Sequence, residues 1–291
     1  MSKNSPYPNR QTLAIEAPSK WLVIWVVIAI LLLAVNMRAP IIGFGAVAKY
    51  IQHDLGLSTK TIGLIGTIPV TAFAASSFIA PMISRRIGLE NTLVLSASML
   101  ALGIFVRAWQ PALGFLVVGT VLLSLAISLG NVLAPAVIKK YTPHNIGLVM
   151  GTYSMFLSVF AGVASGVAVP LVTHAGWQFA LSVWGWVSIA ALAAWLGVVH
   201  LRLRQKISSD DQDVLTQALA MPQPASQKSV WRIPLAWWIS VFMGLQSLTC
   251  YTLASFLPSL LIDKGLSKAQ AGSVGMVFQV VAFPAILLLT K

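Results

Sequence analysis

A chain of 291 residues of which 57% are hydrophobic and 9% charged, with a mean hydropathy of +0.84, lacks the charged surface of a soluble domain, which carries about 25% charged residues. Its net charge of +12 is spread over the ends of apolar segments, which argues against a nucleic-acid surface and for membrane topology. The single cysteine, Cys250, lies inside an apolar stretch, so no intrachain disulfide framework exists.

A membrane span needs about 20 apolar residues. That requirement predicts eight helices near Lys20 to Ile51, Lys60 to Ile83, Asn91 to Ala108, Ala112 to Ile138, Asn145 to Thr173, Trp177 to Leu203, Pro234 to Leu261 and Ala269 to Thr290. The opening run from Lys20 is too long for a signal peptide, lacks a small-residue cleavage site and leads into further spans.

In the first helix an apolar run from Trp21 to Val35 ends in Asn36-Met37-Arg38-Ala39-Pro40, and a second run, Ile41 to Ala48, follows at once. The two are too closely coupled to be separate spans, so they form one long helix loosened at Pro40 with a guanidinium near its middle. A charge there costs roughly 2.5 to 3.5 kcal/mol on insertion scales, so such residues usually face a wet cavity. Arg38 is therefore expected either to hold an anion through paired donors or to bond helix carbonyls opened by Pro40. Asn36, two residues away, points elsewhere on the helix but stays in the expected site.

In the fourth helix Ser124, Ser128, Asn131 and Pro135 share one face, which is either a cavity wall or a helix interface with interhelical hydrogen bonds. Gly147 with Gly151 and Gly162 with Gly166, in the fifth helix, have the spacing of close helix packing. Trp21, Trp109, Trp177, Trp231 and Trp237 lie near predicted ends as interfacial anchors. After the sixth helix, Gln205 to Ser229 is the one long polar connection and reads as a flexible linker.

An internal repeat is the most specific signal. Asp54-Leu55-Gly56-Leu57-Ser58 with Gly63 and Gly66 recurs as Asp263-Lys264-Gly265-Leu266-Ser267 with Gly272 and Gly275, every matched position offset by 209 residues. The seventh and eighth helices thus repeat the first and second, as in carriers built of parallel halves. By this offset Arg38 corresponds to Ser247, which shares a face with Tyr251 and Ser255. Gln246, next to it, and Tyr251 are expected to face a substrate, and Gln279 is a further polar group within the eighth helix.

Basic flanks set the orientation. One side receives twelve Lys and Arg (Lys3, Arg10, Lys20, Arg85, Arg86, Lys139, Lys140, Arg202, Arg204, Lys206, Lys228 and Arg232), the other five (Lys49, Lys60, Arg107, Lys264 and Lys268). The N-terminus and the linker are expected in the cytoplasm. All seven acids fall in loops or at helix ends, and His53, His144, His174 and His200 lie near predicted ends, so no titratable proton carrier stands mid-membrane.

Asn36-Met37-Arg38-Ala39-Pro40, Arg85-Arg86-Ile87-Gly88-Leu89-Glu90, Gly130-Asn131-Val132-Leu133-Ala134-Pro135 with Ile138-Lys139, Gly176-Trp177-Gln178 and Trp231-Arg232-Ile233-Pro234-Leu235-Ala236-Trp237 resemble the major facilitator superfamily. Within it the similarity is to the bacterial branch of cyanate permeases and 2-nitroimidazole exporters. The superfamily usually places an Asp where Arg85 stands and often has an Arg in the fourth helix, and both are missing from this sequence. The resemblance implies an all-α polytopic membrane protein with a six-helix N-terminal half plus the first two helices of a second half, truncated relative to the twelve of full-length members. The expected divisions are a tail at 1–19, the first half at 20–203, a linker at 204–230 and a partial second half at 231–291.

No HExxH, GxSxG, phosphate loop or metal-spaced Cys and His cluster occurs, so neither enzyme, cofactor nor metal is expected. The expected function is secondary transport of a small anionic or nitro-substituted solute across the bacterial inner membrane, with Arg38, Asn36, Asn131, Gln246, Ser247 and Tyr251 as substrate-binding residues. The partners are that solute and the lipid bilayer. The alternative is a non-transporting membrane sensor or an inactive truncated carrier, and solute flux in vesicles separates the two.

Overall fold

The structure, a computed structural model, describes residues 19–204, 234–267, 270–275 and 277–278. All regular structure among the described residues is helical: α1 (Lys20–Asp54), α2 (Thr59–Ile87), α3 (Leu89–Trp109), α4 (Leu113–Tyr141), α5 (Ile146–Arg204) and α6 (Pro234–Asp263). A further helical stretch covers 270–275. Most of the predicted linker and the predicted Gln279 lie outside the described residues, as does Trp231.

Four of these helices, α1, α3, α4 and α5, are long and apolar enough to cross a membrane, and α2 makes a fifth if its two parts, bent by 57° between Ser76 and Ile79, count as one span. The bend lies one turn before Pro81, where the missing N–H and the ring displace the preceding turn. The 59 residues of α5 would make a straight rod of about 90 Å, three times the hydrocarbon thickness. Gly176, at φ 80°, breaks it into two antiparallel limbs, which are the predicted fifth and sixth helices.

Apolar residues all round a helix call for burial on all sides, and the second half of α1 obeys, whereas Trp21, Ile24, Trp25 and Ile28 are exposed. From Leu33 to Ala48 every residue except Arg38 is buried. The helix runs unbroken through Pro40 and packs most extensively against α5. Beside it α3 and α4 form a tight pair. A Cβ on Gly103 would meet the backbone nitrogen of Leu123 at 2.6 Å, and one on Gly119 would collide with the backbone of Arg107. These two glycines set the interaxial approach. Gly147 and Gly151, by contrast, have nothing within 4 Å of a Cβ among the described residues, so the packing expected of that pair is absent.

The repeat is a pair of matched helix junctions. Gly56 and Gly265 both take positive φ, 60° and 93°, the left-handed conformation that ends a helix at little cost for glycine. In each copy the following leucine reaches back five residues, Leu57 N–H to the Gln52 carbonyl at 3.0 Å and Leu266 N–H to the Leu261 carbonyl at 3.1 Å. Each serine then caps the next helix, Ser58 accepting from the Thr61 N–H at 3.1 Å and Ser267 from the Gln270 N–H at 3.3 Å. The Gly and the Ser of the motif are thus a stop and a start signal.

Candidate functional site

A cavity of about 150 Å³ lies where α1, α2, the end of α3 and α4 meet α6. Its wall is mainly apolar, with Ile41 and Phe44 of α1, Ile65, Pro69 and Val70 among the residues of α2, Leu123 of α4, and Leu248, Thr252 and Phe256 of α6. Gly66 permits the crossing of α2 over α6, since its Cβ position lies 3.2 Å from the Phe256 ring. Both repeat units therefore contribute to one enclosure.

Among the described residues Arg107 is the one charged residue lining it. The side chain is 1% exposed, and its Nη1 donates to the Pro40 carbonyl at 3.1 Å. Nε and Nη2 are buried and have no hydrogen-bond partner among the described residues. The guanidinium carbon sits 6.0 Å from the centre of the Phe44 ring, within cation–π range. This corrects the expectation that Arg107 is one of the flank charges at a helix end. Gly119 packs against its backbone, so the side chain is directed across the bundle to α1.

Arg38 lies on α1 one turn from Ile41 and is half-buried. Its neighbour Met37 is buried and touches two helices: the Tyr153 hydroxyl of α5 approaches Met37 Sδ at 3.1 Å, and a Cβ on Gly130 of α4 would collide with Met37 Cε. The same hydroxyl stands 3.4 Å from Asn131 Oδ1. Residues 36–38, Asn131 and Tyr153 thus share one level of the bundle. Asn36 is fully buried, turned back to donate to the Leu32 carbonyl at 3.3 Å. Ser124 and Ser128 are buried, and Ser124 donates to the Thr120 carbonyl, so this stretch of α4 packs against its neighbours and leaves Thr120 and Leu123 on the cavity.

On α6 the cavity is met by Leu248, Thr252 and Phe256. Gln246 is exposed, because a residue two before Leu248 lies about 200° around the helix from it. Ser247 and Tyr251 are on α6 one residue before Leu248 and Thr252, and their side chains lie outside the described residues.

At the end of the bundle that holds Lys20, Glu90 is fully buried and collects three partners. Lys140 Nζ lies 2.9 Å from its Oε1, Arg202 Nη1 2.7 Å from its Oε2, and the Tyr141 hydroxyl donates to Oε1. One carboxylate thereby ties α3 to the ends of α4 and α5. At the opposite end Lys49 of α1 pairs with Asp263 of α6, and Trp177, expected as an interfacial anchor, is buried with its Nε1 donating to Asp54 Oδ2 at 2.7 Å. Among the described residues no group of three or more His, Cys, Asp or Glu is arranged to hold a metal.

Residues 24–291 match the Major Facilitator Superfamily. The chain belongs to that superfamily. It is 32% identical over 268 residues to an uncharacterized transporter, YycB, of Bacillus subtilis, covering 91% of this chain and 62% of the relative. It is 33% identical over 261 residues to the 2-nitroimidazole transporter of Escherichia coli, covering 89% of this chain and 63% of the relative. With the cyanate transport protein CynX of Escherichia coli it shares 23% over 248 residues, 85% of this chain and 61% of that protein. The chain therefore spans a little under two thirds of the length of these relatives. As a major facilitator member it carries Arg85, exposed, where the superfamily's usual Asp would stand, and its buried ion cluster is built on Glu90 instead.

Proposed function

We propose that this protein is a secondary transporter of a small anionic or nitro-substituted solute, with the described cavity on the solute's path. The observation that carries the proposal is the position of that cavity, bounded by α1 to α4 on one side and by α6, a copy of α1, on the other. Carriers of parallel halves bind substrate near the midplane between the halves and work by rocking one against the other. Relatives named for 2-nitroimidazole and cyanate supply the solute class.

In this proposal the protein sits in a bacterial inner membrane with 1–19 and the 204–230 linker in the cytoplasm, between a six-helix half at 20–203 and the helices of 231–291. Removing buried Arg107 from the flank charges leaves the basic residues divided twelve to four, which supports that orientation. Arg38 and Asn131 are taken to contact the solute on its route, and Ser247 and Tyr251, one residue before Leu248 and Thr252 on α6, are its proposed contacts in the second unit.

The test is uptake of labelled cyanate, 2-nitroimidazole and 4-hydroxybenzoate into liposomes carrying the purified protein. Flux of at least one above that of protein-free liposomes is expected, reduced by Arg38→Ala. Flux at the protein-free level for all three would overturn the proposal. Strong periplasmic reporter activity from a fusion within 205–229 would overturn the topology.

A further inference from the structure

We propose that the Nε and Nη2 edge of Arg107 recognises the planar two-oxygen substituent, carboxylate or nitro, of a single-ring aromatic solute held in the cavity lined by Phe44 and Phe256. This assignment rests on the transporter reading and names the substrate class and the recognition group at the same site.

The first argument is which donors remain. Nη1 is spent on the Pro40 carbonyl, and the two atoms without a partner among the described residues are Nε and Nη2. Those two N–H groups lie side by side along one edge of the guanidinium plane. They are the pair that meets a planar two-oxygen group in a bidentate fork. If the side chain served only to pin α1, one donor would suffice, and two buried donors on a cation would stay unsatisfied at considerable cost. A ligand that supplies two acceptors relieves both.

The second argument is what else faces the space. Among the described residues no acid lines the cavity, so the guanidinium has no counter-charge from them within the wall. Three of the four lining threonines, Thr67, Thr71 and Thr120, donate their hydroxyl protons to carbonyls of their own helices. Arg107 is left to present donors to an occupant.

The third argument is size and lining. An apolar cavity of about 150 Å³ accepts a benzene ring, and this one has that volume, with aromatic rings contributed from α1 and from α6. A bare inorganic oxyanion would satisfy the fork but leave the apolar remainder empty. A ring without oxygens would fill the space but leave the fork unpaired. A benzoate-like or nitroaromatic solute does both.

The experiment measures calorimetric binding of benzoate, benzyl alcohol and nitrate to the purified protein in nanodiscs, for the wild type, Arg107→Gln and Arg107→Lys. For the wild type, benzoate is expected to bind at least tenfold more tightly than either benzyl alcohol or nitrate. Arg107→Gln should weaken benzoate at least tenfold and leave benzyl alcohol unchanged, with Arg107→Lys intermediate. Benzoate bound no more tightly than benzyl alcohol or nitrate by the wild type would overturn the proposal, whether or not the variants fold. Unchanged benzoate affinity in an Arg107→Gln protein of normal Tm would overturn it as well. Flux in the liposome assay that Arg107→Gln leaves intact would overturn this assignment alone, whereas absence of all flux would overturn the transporter reading beneath it.

Discussion

Asp263 ends α6 and pairs with Lys49 of α1, whereas its repeat counterpart Asp54, at the same position of the first copy, accepts a hydrogen bond from the Trp177 indole. One motif position thus serves two purposes. In the first unit it closes α1 onto the second limb of α5, and in the second unit it reaches across to the other unit. The difference is possible because both aspartates stand just before a glycine stop signal, at helix ends where their carboxylates are exposed.

The Lys49 and Asp263 side chains are 42% and 61% exposed, so their pairing contributes only about 0.2 to 1 kcal/mol and reports geometry more than stability. In a Cys250→Ser background, Lys49→Cys with Asp263→Cys should be bridged by a flexible bis-methanethiosulfonate reagent, seen as a gel shift that reductant reverses. Asp263→Asn should leave Tm nearly unchanged. A double cysteine variant that never cross-links would remove this contact between the units.

Glu90→Gln should be severely destabilising. It removes the buried carboxylate that pairs with both Lys140 and Arg202, whose side chains are only 13% and 19% exposed, and breaking such a buried pair costs about 3 kcal/mol. Thermal unfolding in detergent checks this. A Tm equal to that of the wild type would show that the Glu90 cluster adds little to stability.

Two glycines of α4 should respond unequally to the same change. A methyl on Gly119 meets backbone atoms of Arg107, which cannot give way, while a methyl on Gly130 meets the flexible end of Met37, which can. Gly119→Ala should cost about 1 to 3 kcal/mol and displace Arg107. Gly130→Ala should cost less than half of that. Equal Tm losses for the two would contradict the backbone contact between α3 and α4.

Trp177→Phe keeps most of the buried ring area and deletes only the indole donor to Asp54. Because Asp54 is exposed, the loss should be about 1 kcal/mol. Chemical denaturation of the single variant and of Trp177→Phe with Asp54→Asn measures it. If the double variant loses the sum of both single effects, the two side chains are not coupled.

The first seven helices and the repeated junction were legible because each rests on a local signal: apolar runs of membrane length, Gly176 at a break, and the aspartate, glycine and serine of the junctions. Arg107 was not legible. A lone arginine two residues before Trp109 has the pattern of an interfacial anchor, and its inward direction depends on Gly119 in another helix, which no spacing within α3 reveals. Trp177 was misread for a related reason, since proximity to a helix end says nothing of which way the ring turns after the Gly176 break. The faces of α4 and α6 were placed by periodicity alone, and periodicity leaves the choice of neighbour open. Hence Ser124 packs inward while Thr120, unremarked in the sequence, meets the cavity.

Because α1 passes through Pro40 without a break, it is mechanically a lever. The carbonyl that anchors Arg107 and the lysine that meets Asp263 are nine residues apart on it, about 13 Å along the rod. A tilt that swings Lys49 away from α6 must also drag the Pro40 carbonyl across the guanidinium. A rigid tilt of α1 therefore moves the contact to α6 and the anchor of Arg107 together.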